Sequence, residues 1–190
     1  MRGSLSSDTV VVGVGNSILS DDGVGVHAVK LLEKDPRVPA AIAILDGGTI
    51  GLELLPYVSD ASRVLFLDAV NSGSVPGTLA RMTGQEMLGT AGGCSAHQMG
   101  VADLIAALFL VSPFPQEIVV LGVQPACTDW GTTLTPNVEA ALAPLVEAAV
   151  AQLQIWEESP IAHLELHSSS LAPGQSSEQD MPRPSDEGGS

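Results

Sequence analysis

Two rhythms of apolar and polar positions alternate along the chain. Short continuous apolar runs end abruptly in glycine or acid, and between them apolar residues return with helical spacing. The first run predicts a strand over Thr9–Val14. After a glycine-bearing turn comes a helix over 23–34, with Val26, Val29 and Leu32 on one stripe. Asp35 and Pro36 stop that helix. A strand over 41–45, the turn Asp46-Gly47-Gly48 and a helix over 51–58 follow. The next strand, 64–68, is apolar until its final acid, Asp68, the pattern of a central strand covered on both faces.

Gly73, Pro76 and Gly77 punctuate the approach to a short edge strand over 77–82. One helical turn at 85–88 and a glycine-containing loop over 90–96, carrying Cys94, come next. A helix over 98–109 ends before Pro113, and the strand Glu117–Val123 follows. The loop 124–134 leads to a long helix over 136–156, opened by Pro136 after Thr135, with Pro144 as a point of bending. Strands alternating with helices predict a three-layer α/β fold, an open, twisted, mostly parallel sheet with helices on both faces. Ligands of such sheets gather at the carboxyl ends of strands where strand order reverses. With the order second, first, third, Asp22 and Asp68 would face one crevice.

The pattern fills a single domain over 1–158. Residues 159–190 are rich in Ser, Pro, Gly and Glu, lack apolar periodicity and predict a disordered acidic tail. With 190 residues, one well-buried core is expected. Aromatics make up only 3% of the chain, so that core must be filled by Val, Leu, Ile and Ala. A net charge of -15 removes the basic footprint that nucleic-acid binding requires and disfavours an anionic membrane surface. Neither a leader peptide nor a continuous apolar membrane span is predicted. Cys94 and Cys127 make no disulfide framework and fit a reducing, cytoplasmic setting.

Candidate chemistry begins in the first turn. Gly13 and Gly15 allow a tight turn and close backbone approach, as in nucleotide sites. Those sites need anion-friendly amides at the helix start. Here the place of a third glycine is taken by Ser17, no phosphate-loop lysine is present, and Asp21 and Asp22 follow. Acids at this point suit a cation or a proton. One carboxylate suffices to cap the helix; two in succession point in different directions and leave one free. Asp68 either receives loop amides or serves a site, since burying it without a partner is costly.

His97 could cap its own helix, or join Cys94 in a Cys-x-x-His pair. Cys127 has no sequence neighbour to complete a structural zinc site. His27 reads as helix surface or as support behind a site. No G-x-S-x-G elbow or H-E-x-x-H helix is present, and cysteine-protease chemistry by Cys94 and His97 lacks an orienting group.

The ordered segments GVGNSILSDDGVGVHAV from Gly13, LDGGTIGLELL from Leu45, VLFLDAV ending at Val70, SAHQMGVADL from Ser95 and LGVQP from Leu121 resemble the nickel–iron hydrogenase maturation endopeptidases. The resemblance spans 11–156. It implies an endopeptidase that removes the C-terminal extension of the hydrogenase large-subunit precursor after nickel delivery, cutting behind a His or Arg. It also implies a catalytic and metal-binding triad at Asp22, Asp68 and His97, supported by Gly13, Gly15, Asn16, Asp21, Asp46, Gly47 and Gly48. Two carboxylates and an imidazole suit a borderline divalent ion and leave positions for water and substrate. Nickel, supplied by the precursor, would then be either a recognition mark or a Lewis acid on the scissile carbonyl. The rival reading is a nickel-sensing or chaperone module that binds the precursor without cutting it. An NAD- or flavin-dependent oxidoreductase is a third class, which the loop acids oppose. The free enzyme is expected to be a cytoplasmic monomer.

Overall fold

The computed structural model describes residues 7–90, 100–111 and 115–159. Its centre is a sheet of β1 (Thr9–Val14), β2 (Ala43–Gly48), β3 (Arg63–Ala69), β4 (Leu79–Thr83) and β5 (Glu117–Val123). The strands lie in the order β2-β1-β3-β5-β4, parallel except for β4, which runs antiparallel to β5. Successive side chains of a strand point to opposite faces, so the continuous apolar runs of β1, β3 and β5 feed two cores at once. Val11, Leu65 and Leu121 pack under α1 (Val24–Leu32) and α5 (Pro136–Glu158). Val12 and Phe66 pack on the opposite face with Leu104 and Ile105 of α4 (Val101–Leu108), beside α2 (Leu55–Val58) and α3 (Gly84–Thr90). The three-layer architecture and the strand order 2-1-3 agree with the sequence pattern.

The elements differ from that pattern mainly at their ends. Asp46-Gly47-Gly48 completes β2 instead of following it, because Asp46 pairs with Gly13 and, across a bulge, Gly48 pairs with Val14. The first helix begins with a separate 3-10 turn, Ser20–Gly23, which sets Asp21 and Asp22 on a tighter spiral than α1. A 3-10 turn, Gly51–Leu54, likewise precedes α2. Pro144 faces solvent and α5 runs through it as one helix. By length and composition α5 could cross a membrane. Its Val138, Leu145, Val150 and Leu153 are committed to the core instead. The predicted tail lies outside the described residues, as does the stretch 91–99 with Cys94 and His97.

Helix α1 lies directly on the sheet. A Cβ on Gly25 would overlap the carbonyl oxygens of Leu67 and Val14, both backbone atoms that cannot swing aside. Gly25→Ala should therefore lift α1 off β1 and β3 and destabilise the protein by ~1–3 kcal/mol, the range of core overpacking. Urea unfolding would measure it, and an unchanged midpoint would contradict the packing described.

At the amino end of the sheet, Arg63 opens β3 and is 7% exposed. It donates to Glu117 at 2.9 Å, to the Trp156 carbonyl at 2.6 Å and to the Ser159 carbonyl, and its guanidinium lies over the Trp156 ring. The orphan carbonyls at the end of α5 thus find their donors in a cation from the neighbouring layer.

Candidate active site

The opposite, carboxyl end of the sheet opens into a cleft of about 700 Å³, lined in part by Asp22, Asp68, Asn71, Gln124, Cys127 and Asp103. It sits beyond β1, β3 and β5, where strand order reverses between β1 and β3. Asp22 arrives on the 3-10 turn after β1, and Asp68 near the carboxyl end of β3. The parallel pairing of these strands brings the two acids to one cavity.

Glycine geometry makes the first arm possible. Gly15 has φ 125°, and a Cβ there would strike the Asp22 carbonyl oxygen. Its amide donates to the Gly48 carbonyl at 2.9 Å, which is how the end of β2 braces the turn. The Asn16 amide donates to Asp22 Oδ2 at 2.7 Å and leaves the other oxygen for the cleft. Gly13 lets α1 approach β1. Asp46 is exposed, lies 3.7 Å from Lys30, accepts from the Gly48 amide and stands apart from the cleft lining.

Asp68 is held in an unfavourable state. Burial pushes its carboxyl up to about 7; the Ala69 amide, at 2.8 Å, pulls it back, and the nearby charge of Asp22 adds to the rise. A carboxyl balanced between its two forms near neutrality can take or give a proton, or exchange its proton for a cation.

Asp21 has a different fate from its neighbour. It is completely buried, and its carboxylate accepts from the amides of Ala126, Cys127 and Thr135 and from the Thr135 hydroxyl, at 2.6–3.0 Å. Burial alone would raise its pKa, but these donors outweigh it and hold the carboxyl below its ordinary value. The backbone adds further ties: Ser20 N to Gly131 O, Asp21 N to Cys127 O and Gly131 N to Ile18 O. One acid of the pair thus fastens the loop after β5 to the turn after β1, while the other faces the cleft.

Gln124 is a structural residue that sequence reasoning missed. It is 8% exposed, and its side-chain oxygen accepts from Ser72 and from the Ser74 amide, while its nitrogen donates to Asn71 and to the Pro125 carbonyl. It thereby fixes the loop after β3 against the end of β5. The available signal was an amide directly after the apolar run Ile118–Val123, immediately before a proline. His27 is partly buried on α1 and is not among the cleft-lining residues described. His97 and Cys94 lie outside the described residues; Cys127 is a partly buried free thiol in the cleft wall.

The family model described as hydrogenase maturation protease matches residues 26–152. Among individual relatives, the hydrogenase 2 maturation protease of Escherichia coli K12 is 36% identical over 147 residues, covering 76% of this chain and 90% of the relative. The hydrogenase expression/formation protein HupD of Bradyrhizobium diazoefficiens is 37% identical over 150 residues, 77% of this chain and 78% of its own length. The solved structure of the hydrogenase maturating endopeptidase HybD from E. coli superimposes with a TM-score of 0.71 at 36% identity, over 77% of this chain and 92% of that one. A NiFe hydrogenase maturation protease, HybD from Thermococcus kodakarensis, gives a TM-score of 0.64 at 25% identity, over 76% and 97% respectively.

Proposed function

The chain belongs to the hydrogenase maturation protease family, and from that premise we propose that it cleaves the C-terminal extension from a nickel-loaded hydrogenase large-subunit precursor. It is a peptide-bond hydrolase, and the residues assigned to the reaction are Asp22, Asp68 and His97. The observation that carries this reading is the convergence on one cleft of two acids, one from the turn after β1 and one from β3, with the Asp68 carboxyl raised to about 7. Burial, with a smaller contribution from the Asp22 charge, disfavours the ionised form of Asp68, and a divalent cation held at these acids would offset that cost. Among the described residues, no three His, Cys, Asp or Glu side chains form a metal-holding group. The third donor is assigned to His97 from the family resemblance of SAHQMGVADL, with nickel arriving on the precursor.

Nickel, when present, supplies polarisation of the scissile carbonyl and a more acidic water. The chain's own residues do the rest. Asp68, at the cleft, takes a proton from the attacking water and returns it to the leaving amine, a role open to a carboxylate beside the reacting atoms. Asp22, oriented by the Asn16 amide, would help to hold the cation. The loop tied down by Asp21 forms one wall of the cleft. The enzyme is read as a free cytoplasmic monomer.

Incubation with nickel-loaded and nickel-free precursor tests the proposal. The expected result is a drop in precursor size in the loaded sample alone. A loaded precursor of unchanged size would overturn it, and a stable complex without peptide release would support the non-cleaving reading instead.

A further inference from the structure

Trp130 is 81% exposed and Ile18 is 47% exposed, although both belong to segments fixed from below. The Gly131 amide, one residue after Trp130, donates to the Ile18 carbonyl at 3.0 Å, and Leu19 and Gly131 are bridged. Ser20 Oγ donates to the Asp129 carbonyl at 3.0 Å on the other side of Trp130. Cys127 and Asp129 close the turn below it through their own backbone-to-sulfur contact at 3.4 Å. The indole therefore stands on a backbone whose neighbours on both sides are anchored to another segment.

This platform is continuous with the cleft. Leu19, Cys127 and Thr128 line the cavity, while Ile18, just before Leu19, and Trp130, two residues after Thr128, are exposed to solvent. Scattered exposed apolar residues are ordinary on protein surfaces. A tryptophan carried on an anchored backbone at the mouth of the cleft is a different matter, because the loop that bears it has little backbone freedom left to lose when a partner covers it. We propose that Ile18 and Trp130 form a docking platform for an apolar patch of the precursor protein, outside the segment that enters the cleft. The inference rests on the reading of this chain as a precursor-cleaving enzyme. It adds a second point of recognition: the platform selects the folded body of the substrate, and the acids act on the chain it presents.

The test measures initial cleavage rates of nickel-loaded precursor against precursor concentration for the full chain and its Trp130→Ala, Trp130→Phe and Ile18→Ala variants. Trp130→Ala should raise KM on the order of 10- to 30-fold, the scale of an aromatic interface anchor, with kcat within about two-fold of wild type. Trp130→Phe should recover most of the loss, and Ile18→Ala should raise KM more modestly. An unchanged KM in Trp130→Ala would overturn the platform while leaving the enzymatic reading intact. Failure of the wild type to cleave would instead remove the enzymatic reading, and the platform with it. Independently, fluorotryptophan labelling gives one fluorine signal for each of the two tryptophans. Unlabelled precursor should shift or broaden the Trp130 signal and leave that of buried Trp156 in place; a Trp130 signal unmoved by a precursor undergoing cleavage would also overturn the platform.

Discussion

Asp68→Asn is expected to abolish precursor processing and, in the metal-free protein, to raise the thermal midpoint at pH 8. The two effects share one cause. In the folded protein the Asp68 carboxyl is raised from 3.8 to about 7, chiefly by burial. Between those values the folded state binds more proton than the unfolded chain, so the contribution of Asp68 to stability falls as pH rises through that window and is flat above it. At about 1.4 kcal/mol per unit, holding the ionised form costs on the order of 4–5 kcal/mol as an upper bound. Asparagine keeps the shape and removes the charge. It cannot accept and return a proton or ligate a cation as strongly, so a loss of processing of at least about 100-fold is expected. Melting curves of wild type and variant at pH 5 and pH 8 check the stability half. The gain should be larger at pH 8, and a larger gain at pH 5 would contradict the buried, raised carboxyl.

The second large effect is expected at the adjacent acid and in the opposite direction. Asp21→Ala removes the acceptor of four hydrogen bonds in a fully buried position and leaves three amides and a hydroxyl unsatisfied. At ~1–3 kcal/mol for each stranded buried donor, with water repairing some of them, a loss of ~3–5 kcal/mol is expected. That corresponds to a fall in melting temperature of about 6–20 °C for a domain of this size. Because the folded-state pKa of Asp21 is lowered, its contribution is present above the ordinary value of 3.8 and is lost as pH falls through the folded value. The difference between wild type and Asp21→Ala should therefore narrow on acidification. A loss of under 1 kcal/mol at pH 7 would show that the loop after β5 is held by other means.

These two aspartates mark the boundary of what sequence can tell. The strand–turn–helix around Gly13 and the buried strand ending at Asp68 follow from apolar patterning, and parallel α/β topology then brings Asp22 and Asp68 together. That step needs only strand order, which short connections and crossover handedness restrict severely. Asp21 was legible as a support but its partners were not. They are backbone amides more than a hundred residues downstream, and a backbone donor carries no residue-type signal. Gln124 escaped for the same reason, since most of its bonds go to loop backbone or to one serine hydroxyl. The end of β2 was misplaced because a glycine pair reads as a turn, while the bulge that keeps Gly48 in the ladder depends on its neighbour β1. Exposure of Trp130 was likewise invisible, because an aromatic residue in a loop reads equally well as an anchor folded inward.

Arg63 has a practical consequence for handling the enzyme. It clasps the last turn of α5 at the start of β3, while Asp68 stands five residues further along the same strand. At about 3.3 Å per residue that sets Arg63, and the end of α5 that it clasps, roughly 17 Å along the strand from Asp68, at the other rim of the sheet. Coupling the protein to a sensor surface through a residue at the end of α5 would turn the cleft and the Trp130 platform outward, with the immobilised rim serving as the base.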